Sequence, residues 1–323
     1  LGILPGGTSQ QFALGISPDG ATVVGSNATA TGSEAFAWDA EAGTRGLGLL
    51  PGSLHGTARA VSNDGSVIVG EDGGQDPLDP TSLRAVTWEA GRGVRPLGDL
   101  PGVEPIWSSA TDVSADGTVV VGWGTSGEPG TLTIEREAFI WDASNGMRGL
   151  GGLPGQPAIS RATAISRDGA TVVGYARVED LSGPDYDEPF VWDAARGMRS
   201  LGAFAGARVS VPLDVSDGGS TVVGYMPFPF AGTDLALIWA EESGPQRVDF
   251  LLQSLGIDLA GWRLERANGI SADGTTIVGT GIDPSGQRQA WIAVIPEPTT
   301  ALLLGAGLMG LALAGRPRPA NPD

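Results

Sequence analysis

Six times the chain carries Ile/Val-Ser-x-Asp-Gly or a close variant, with the serine at Ser17, Ser62, Ser114, Ser166, Ser216 and Ser271. A hydroxyl two residues before a carboxylate could hold a cation or pass a proton. Asp-Gly is also a tight-turn signal, in which Gly takes a positive φ and Ser and Asp bond nearby backbone N–H groups. The fifth copy is shifted, Ser216-Asp217-Gly218-Gly219, so its turn should differ.

Other chemistry is bounded by what is scarce. His55 is the only histidine and there is no cysteine. No metal site built on several histidines or thiolates, no disulfide and no thiol nucleophile follows from that set. Every one of the 19 basic residues is arginine, which excludes a Schiff-base lysine and a phosphate-binding P-loop lysine. The net charge of −18 would repel phosphates and argues against nucleic acid as a partner. Acids are plentiful, so paired-carboxylate chemistry on a glycan stays open. Gly305-Ala306-Gly307-Leu308-Met309-Gly310 matches Gly-x-Gly-x-x-Gly, but the second strand and acid ~20 residues on that a dinucleotide site needs do not follow, and no cofactor is assigned. Calcium would find oxygen ligands here, though no specific calcium motif is formed.

The elements that position these groups repeat at intervals of about 45 to 55 residues, a period of propeller blades and stacked arrays. Each unit reads as four short strands. The first leads into the Ser. The second is a β-branched run ending in Gly, as in Val172-Val173-Gly174, and reads as buried on both faces between neighbouring sheets. The third carries an in-register Trp: Trp38, Trp88, Trp141, Trp192 and Trp239, read as packing between blades. The fourth carries Arg45, Arg95, Arg148 or Arg199, seven residues after the Trp. A hairpin through Ala143–Gly146 would set Arg148 opposite Trp141, over the indole or paired with Asp142. Pro-Gly turns at Pro51, Pro101 and Pro154 follow.

The expected fold is all-β: a six-bladed β-propeller of four-stranded blades over residues 1–294. The chain opens on Leu1-Gly2-Ile3-Leu4-Pro5-Gly6, a fourth strand without a blade, and the sixth unit ends on a third strand. The N-terminal strand is therefore expected to close the ring in the last blade. The chain begins with Leu rather than Met, so a preceding segment, such as a signal peptide, is expected.

A propeller places the Asp-Gly turns on one face and the loops between strands two and three, and four and one, on the other. The second set varies in length and sequence. It carries Trp107, Trp123, Tyr175, Tyr186 and Tyr225 beside Asp72, Asp76 and Asp185. The longest loops run through Glu71–Leu83, Trp123–Arg136, Tyr175–Glu188 and Tyr225–Asp234. Aromatics can stack on sugar rings while carboxylates bond hydroxyls or hold calcium. This is the candidate ligand face; no catalytic residue and no metal ligand is assigned.

The recurring Ser-x-Asp-Gly, Val-Val-Gly, Ala-Phe-x-Trp and Leu-Gly-x-Leu-Pro-Gly motifs resemble the HAF-repeat family of bacterial extracellular proteins. That resemblance implies export and a propeller-like fold, and carries no catalytic residues.

Residues 295–323 form a separate tail. Pro296-Glu297-Pro298 precedes the apolar run 301–314, expected as a short helix, and then Arg316 and Arg318. The run is shorter than the ~20 residues of a comfortable membrane span. The order resembles the PEP-CTERM sorting signal of Gram-negative bacteria. It implies an exosortase-type partner acting at Pro296, Glu297 and Pro298, transient inner-membrane anchoring through 301–314, and release to the cell surface or exterior. Such systems accompany exopolysaccharide production. The expected function is thus an exported, non-catalytic module of the surface or biofilm matrix. The alternative is a propeller glycan hydrolase or lyase.

Overall fold

The computed structural model describes residues 2–4, 7–74, 83–101, 107–127, 135–180, 183–204, 207–227, 233–240 and 244–295. The PEP-CTERM residues Pro296, Glu297 and Pro298, the apolar run, and Asp76 lie outside them. Among the described residues no helix is long and apolar enough to cross a membrane.

Strands follow one another as antiparallel meanders, one per repeat. The first unit is β1 (Gly7–Ile16), β2 (Val23–Thr29), β3 (Ser33–Asp39) and β4 (Gly43–Gly46). The second is β5 (His55–Val61), β6 (Val67–Gly73), β7 (Arg84–Glu89) and β8 (Gly93–Pro96). One parallel bridge, Ser33 to His55, joins these two into one sheet. Three separate four-stranded sheets follow. They are β9 (Ser108–Val113), β10 (Val119–Ser126), β11 (Glu135–Asp142) and β12 (Gly146–Gly149); β13 (Ser160–Ile165), β14 (Thr171–Val178), β15 (Tyr186–Asp193) and β16 (Gly197–Ser200); and β17 (Val211–Val215), β18 (Thr221–Met226), β19 (Leu235–Ala240) and β20 (Gly244–Arg247). A short helix, α1 (Val248–Ser254), leads to a three-stranded sheet of β21 (Arg263–Ile270), β22 (Thr276–Ile282) and β23 (Arg288–Val294).

The β-branched runs explain the stacking. Alternate side chains of a strand leave on opposite faces. Val120 packs towards the preceding sheet with Val69 and Ala85, while Val121 packs towards the following one with Ile165 and Val172. Val172 and Val173 repeat this one unit on. The core is therefore a series of layers between neighbouring sheets. Trp88 Nε1 donates to the Gly48 carbonyl of the preceding linker at 3.0 Å, and Trp239 Nε1 does the same to Gly202 at 3.3 Å. These tryptophans bind sheet to sheet, as expected.

The Asp-Gly turns are identical in five units. In the fourth, Ser166 Oγ donates to Asp168 and accepts from the Thr171 N–H, while the Ala170 N–H also reaches Asp168. The Ser hydroxyl is the foremost cause holding the carboxyls of Asp19, Asp116, Asp168 and Asp273 below their usual range. In the shifted copy, Asp217–Gly219 forms a 3₁₀ turn with Gly218 and Gly219 both at positive φ. Turns in adjacent units are tied by backbone bonds, Asn63 N–H to Ala115 and Ala115 N–H to Arg167.

Two expectations are corrected. Gly146 pairs with Asp142, so Arg148 lies opposite Ile140 and Met147 opposite Trp141. Of the two contacts expected for Arg148, the pairing with Asp142 forms and the stacking on the indole does not. The Leu-Gly-x-Leu-Pro-Gly stretch is not part of the fourth strand, which ends before it; it crosses between sheets, with Leu50, Leu100 and Leu153 packed in the interlayer cores.

The two ends of the series are bare. Phe12 and Ile16 on β1 are 60% and 61% exposed; Ile292 and Val294 on β23 are 70% and 67% exposed. Leu4 is buried, and its carbonyl accepts from the Gly7 N–H at 2.9 Å, the same turn that Leu50 makes with Ser53. The Gly2 carbonyl accepts from Thr44 Oγ1 at 2.6 Å. Gly2–Leu4 thus sits where an inter-sheet linker sits elsewhere, against the first sheet, and is not the fourth strand of the last blade expected to close the ring. The last sheet has three strands among the described residues. Residues of all six first strands, from Ile16 through Asp112 and Asp214 to Ile270, line one central cavity of about 720 Å³.

Candidate functional site

On the face opposite the Asp-Gly turns, the third and fourth units enclose a second cavity of about 450 Å³. Trp107, Arg136, Arg161 and Tyr175 line it, with Glu135, Arg177 and Asp187. Its position follows from register. Trp123 is the residue after the Val-Val-Gly of β10, and Tyr175 holds the same place in β14. Arg161 pairs across the ladder with Tyr175, and Arg136 lies opposite Thr125. Trp107 is held by two bonds to Thr125: its N–H donates to Oγ1 at 2.9 Å, and its carbonyl accepts the Thr125 N–H at 2.7 Å.

Cations and rings interleave here. The Arg136 guanidinium carbon is 4.9 Å from the centre of the Trp123 ring and 5.9 Å from that of Trp107. The Arg161 guanidinium is 5.0 Å from the same Trp123 ring. A guanidinium within ~6 Å of an indole is attracted to its face. Removal from water, and then the charge of Arg161, lowers the proton affinity of Arg136. The Nε of Arg136 and the Nε1 of Trp107 are buried with no hydrogen-bond partner. Arg177 is different: it bonds Asp187 at 3.1 Å and lies 3.6 Å from Asp185.

The expected site residues separate. Trp107 and Tyr175 line this cavity, and Trp123 lies against the two arginines that line it. Asp185 is drawn to its edge by Arg177. Tyr186 opens β15, where burial first and then Glu188 raise its phenol pKa; it does not line the cavity. Tyr225 stands two sheets from Trp123, under the Arg266 guanidinium at 4.2 Å, and Arg266 is neutralised by Asp234 at 2.5 Å. Asp72 is fully buried and accepts the Leu50 N–H, so it braces a linker rather than facing a ligand. Burial, opposed by its hydrogen bonds, raises its pKa. Ser33 Oγ is 3.5 Å from His55 Nδ1, but Asp72 makes no bond to that imidazole and no relay is formed.

Arg136 and Arg161 were not legible as site residues. The signal was an arginine five residues before the motif serine, Arg161 or Arg266, facing the aromatic that follows Val-Val-Gly in the preceding unit, Trp123 or Tyr225. It becomes readable only once the stacking order is known. Among the described residues, no group of three or more His, Cys, Asp or Glu is placed to hold a metal ion.

No protein-family model matches the sequence, and a search of curated proteins finds no relative. Among solved structures the chain is similar to the β-propeller domain of the Trilobed protease from Pyrococcus furiosus, which has an open velcro topology. The TM-score is 0.55 at 13% identity, over 88% of this chain and 78% of that one. It is also similar to oligogalacturonate lyase from Vibrio parahaemolyticus, with TM-score 0.52 at 12% identity over 88% and 74%. TolB from Acinetobacter baumannii aligns with TM-score 0.48 at 14% identity over 73% of this chain; the chain spans only 54% of that protein. The fold is that of a β-propeller.

Proposed function

We propose that this protein is an exported β-propeller that binds glycan in the cavity between its third and fourth units, without chemistry on the bound chain. The observation that carries this reading is the conjunction at one open cavity of Trp107, Tyr175 and two arginines stacked on Trp123. Aromatic faces take sugar rings, and guanidinium donors take their oxygens. A volume of about 450 Å³ suits a small ligand unit. The repeated turns serve the scaffold, because their carboxylates are spent on Ser hydroxyls and backbone N–H groups.

The scaffold in this reading is a ring of six blades. Closure brings the exposed apolar residues of β1 against those of β22 and β23. The PEP-CTERM-like tail supplies the address: export, handling by an exosortase-type enzyme, and release to the surface or matrix.

Full-length protein should be titrated with polysaccharide from a producing cell's matrix while reducing ends and unsaturated products are followed. Binding with no product supports the proposal. Product release, abolished by substituting a carboxylate at the cavity such as Glu135→Gln, transfers the assignment to a hydrolase or lyase. Mass spectrometry of the mature C-terminus tests the tail: an intact Arg318 on the cell-surface protein contradicts processing.

A further inference from the structure

Two guanidiniums at this cavity have no carboxylate bonded to them among the described residues, and comparison between units sets them apart. The ring position that holds Trp123 and Arg161 is built differently elsewhere. One unit earlier, Ser109 of β9 bonds Glu71 of β6, and Arg59 also bonds Glu71 at 2.6 Å. Two units later, Arg266 covers Tyr225 with Asp234 beside it. In both places a carboxylate satisfies the cation. At Trp123 two guanidiniums share one ring, and neither Arg136 nor Arg161 bonds a carboxylate among the described residues.

That arrangement is unfavourable by itself. Two like charges repel, and part of each guanidinium is withdrawn from water. Most other described arginines are satisfied, as in Arg45–Asp39, Arg95–Glu89, Arg148–Asp142 and Arg199–Asp193. In a chain of net charge −18, acids to neutralise this pair are abundant. Glu135 lies on the cavity wall without bonding either arginine. An anion from outside would give both guanidiniums the partner they lack. A carboxylate matches the planar donor fork of arginine. The neighbouring indole and phenol rings suit the sugar that carries it.

We propose that the cavity recognises an acidic sugar, a uronic acid residue within a polysaccharide, whose carboxylate is received by Arg136 and Arg161 and whose ring lies against Trp107 and Tyr175. This rests on the glycan-binding reading above and names its ligand class. The carboxylate bridges the two guanidiniums and relieves their repulsion. Neutral glycans offer no such gain and bind far more weakly.

The test is calorimetric titration of the full chain with short galacturonic acid oligomers, neutral galactose oligomers of matched length, a sulfated galactan and inorganic phosphate. Galacturonate oligomers are expected to bind, with affinity falling as salt rises. Arg161→Gln and Arg136→Gln should each weaken that binding by about ten- to a hundred-fold, the range of a charged hydrogen bond. Arg161→Lys keeps the charge but loses the fork and should fall between. Arg45→Gln, on the opposite face, should leave binding unchanged, and thermal melts identify any variant that fails to fold. Equal binding of neutral and acidic oligomers, indifferent to Arg161→Gln, overturns this inference while glycan binding stands. Binding of none of the oligomers removes both. Equal affinity for the sulfated galactan or for phosphate overturns the choice of carboxylate.

Discussion

Two aspartates in the wall of the central cavity make stability depend on pH. Asp112 on β9 accepts the Val113 N–H at 2.8 Å through Oδ1, and the Ile165 N–H of the next unit at 2.9 Å through Oδ2. Asp214 on β17 does the same with Val215 and Ile270, both at 2.8 Å. Each carboxylate staples one unit to its neighbour. Both keep some surface towards the central cavity, but their burial withholds most of the bulk water. That desolvation pushes Asp112 up to about 7 and Asp214 up to about 6, and the charge of Asp214 adds to the rise at Asp112. The folded state therefore holds these protons more tightly than the unfolded chain, where the pKa is near 3.8. Stability from this source is complete below pH ~4 and is lost as pH rises through 6 and 7. At about 1.4 kcal/mol per pH unit the displacement at Asp112 sets a ceiling of roughly 4 kcal/mol. The partial exposure of both carboxylates screens it, and ~1–2 kcal/mol is expected.

Asp112→Asn removes the titration and keeps one of the two acceptors. At pH 4.5 it should be less stable than the parent by ~1–3 kcal/mol, the cost of an unsatisfied buried N–H. By pH 7.5 the gap should narrow by ~1–2 kcal/mol, because only the parent has acquired a charge. Urea unfolding across that range measures both numbers. Parallel stability curves for parent and variant would refute the reasoning, since they would mean that Asp112 ionises equally well in both states.

Other consequences concern the scaffold. Ser166→Ala removes the donor to Asp168 and the acceptor for the Thr171 N–H, and should cost ~1–3 kcal/mol in urea unfolding without altering glycan binding. Gly122→Ala would place a Cβ 2.0 Å from the Ser109 carbonyl and 2.8 Å from the Phe139 ring, so a loss of more than ~2 kcal/mol and a lowered melting temperature are expected. Trp88→Phe gives up the bond to the Gly48 carbonyl and should cost about 1 kcal/mol or more in the same assay.

How much the sequence disclosed depended on repetition. Strand, turn and strand around each Ser-x-Asp-Gly were readable because the turn chemistry is local: Ser17 to Asp19 and Ser271 to Asp273 need no distant partner. The two-faced burial of Val172 and Val173 followed from consecutive β-branched residues. Register was harder. Arg148 was expected one residue out of place, because Gly146 takes φ 69° and pairs directly with Asp142. The end of the fourth strand was also hidden, since Leu-Gly-x-Leu alternates like a strand but spans the gap between sheets. At the site, Trp107, Trp123 and Tyr175 stood out as aromatics in variable loops, whereas Asp72 looked equally open and is buried. Arg136 and Arg161 acquire meaning only from a contact across sheets, which local spacing does not carry.

In the proposed reading the cavity between the third and fourth units, and not the repeated turns, meets the ligand. Hydrogen-exchange mass spectrometry of the full chain with and without galacturonic acid oligomers tests it most directly. Added protection is expected only in peptides covering Trp107–Ser109, Glu135–Glu137, Ile159–Arg161 and Tyr175–Arg177. Protection at the Asp-Gly turns instead, around Asp116 and Asp168, would contradict it.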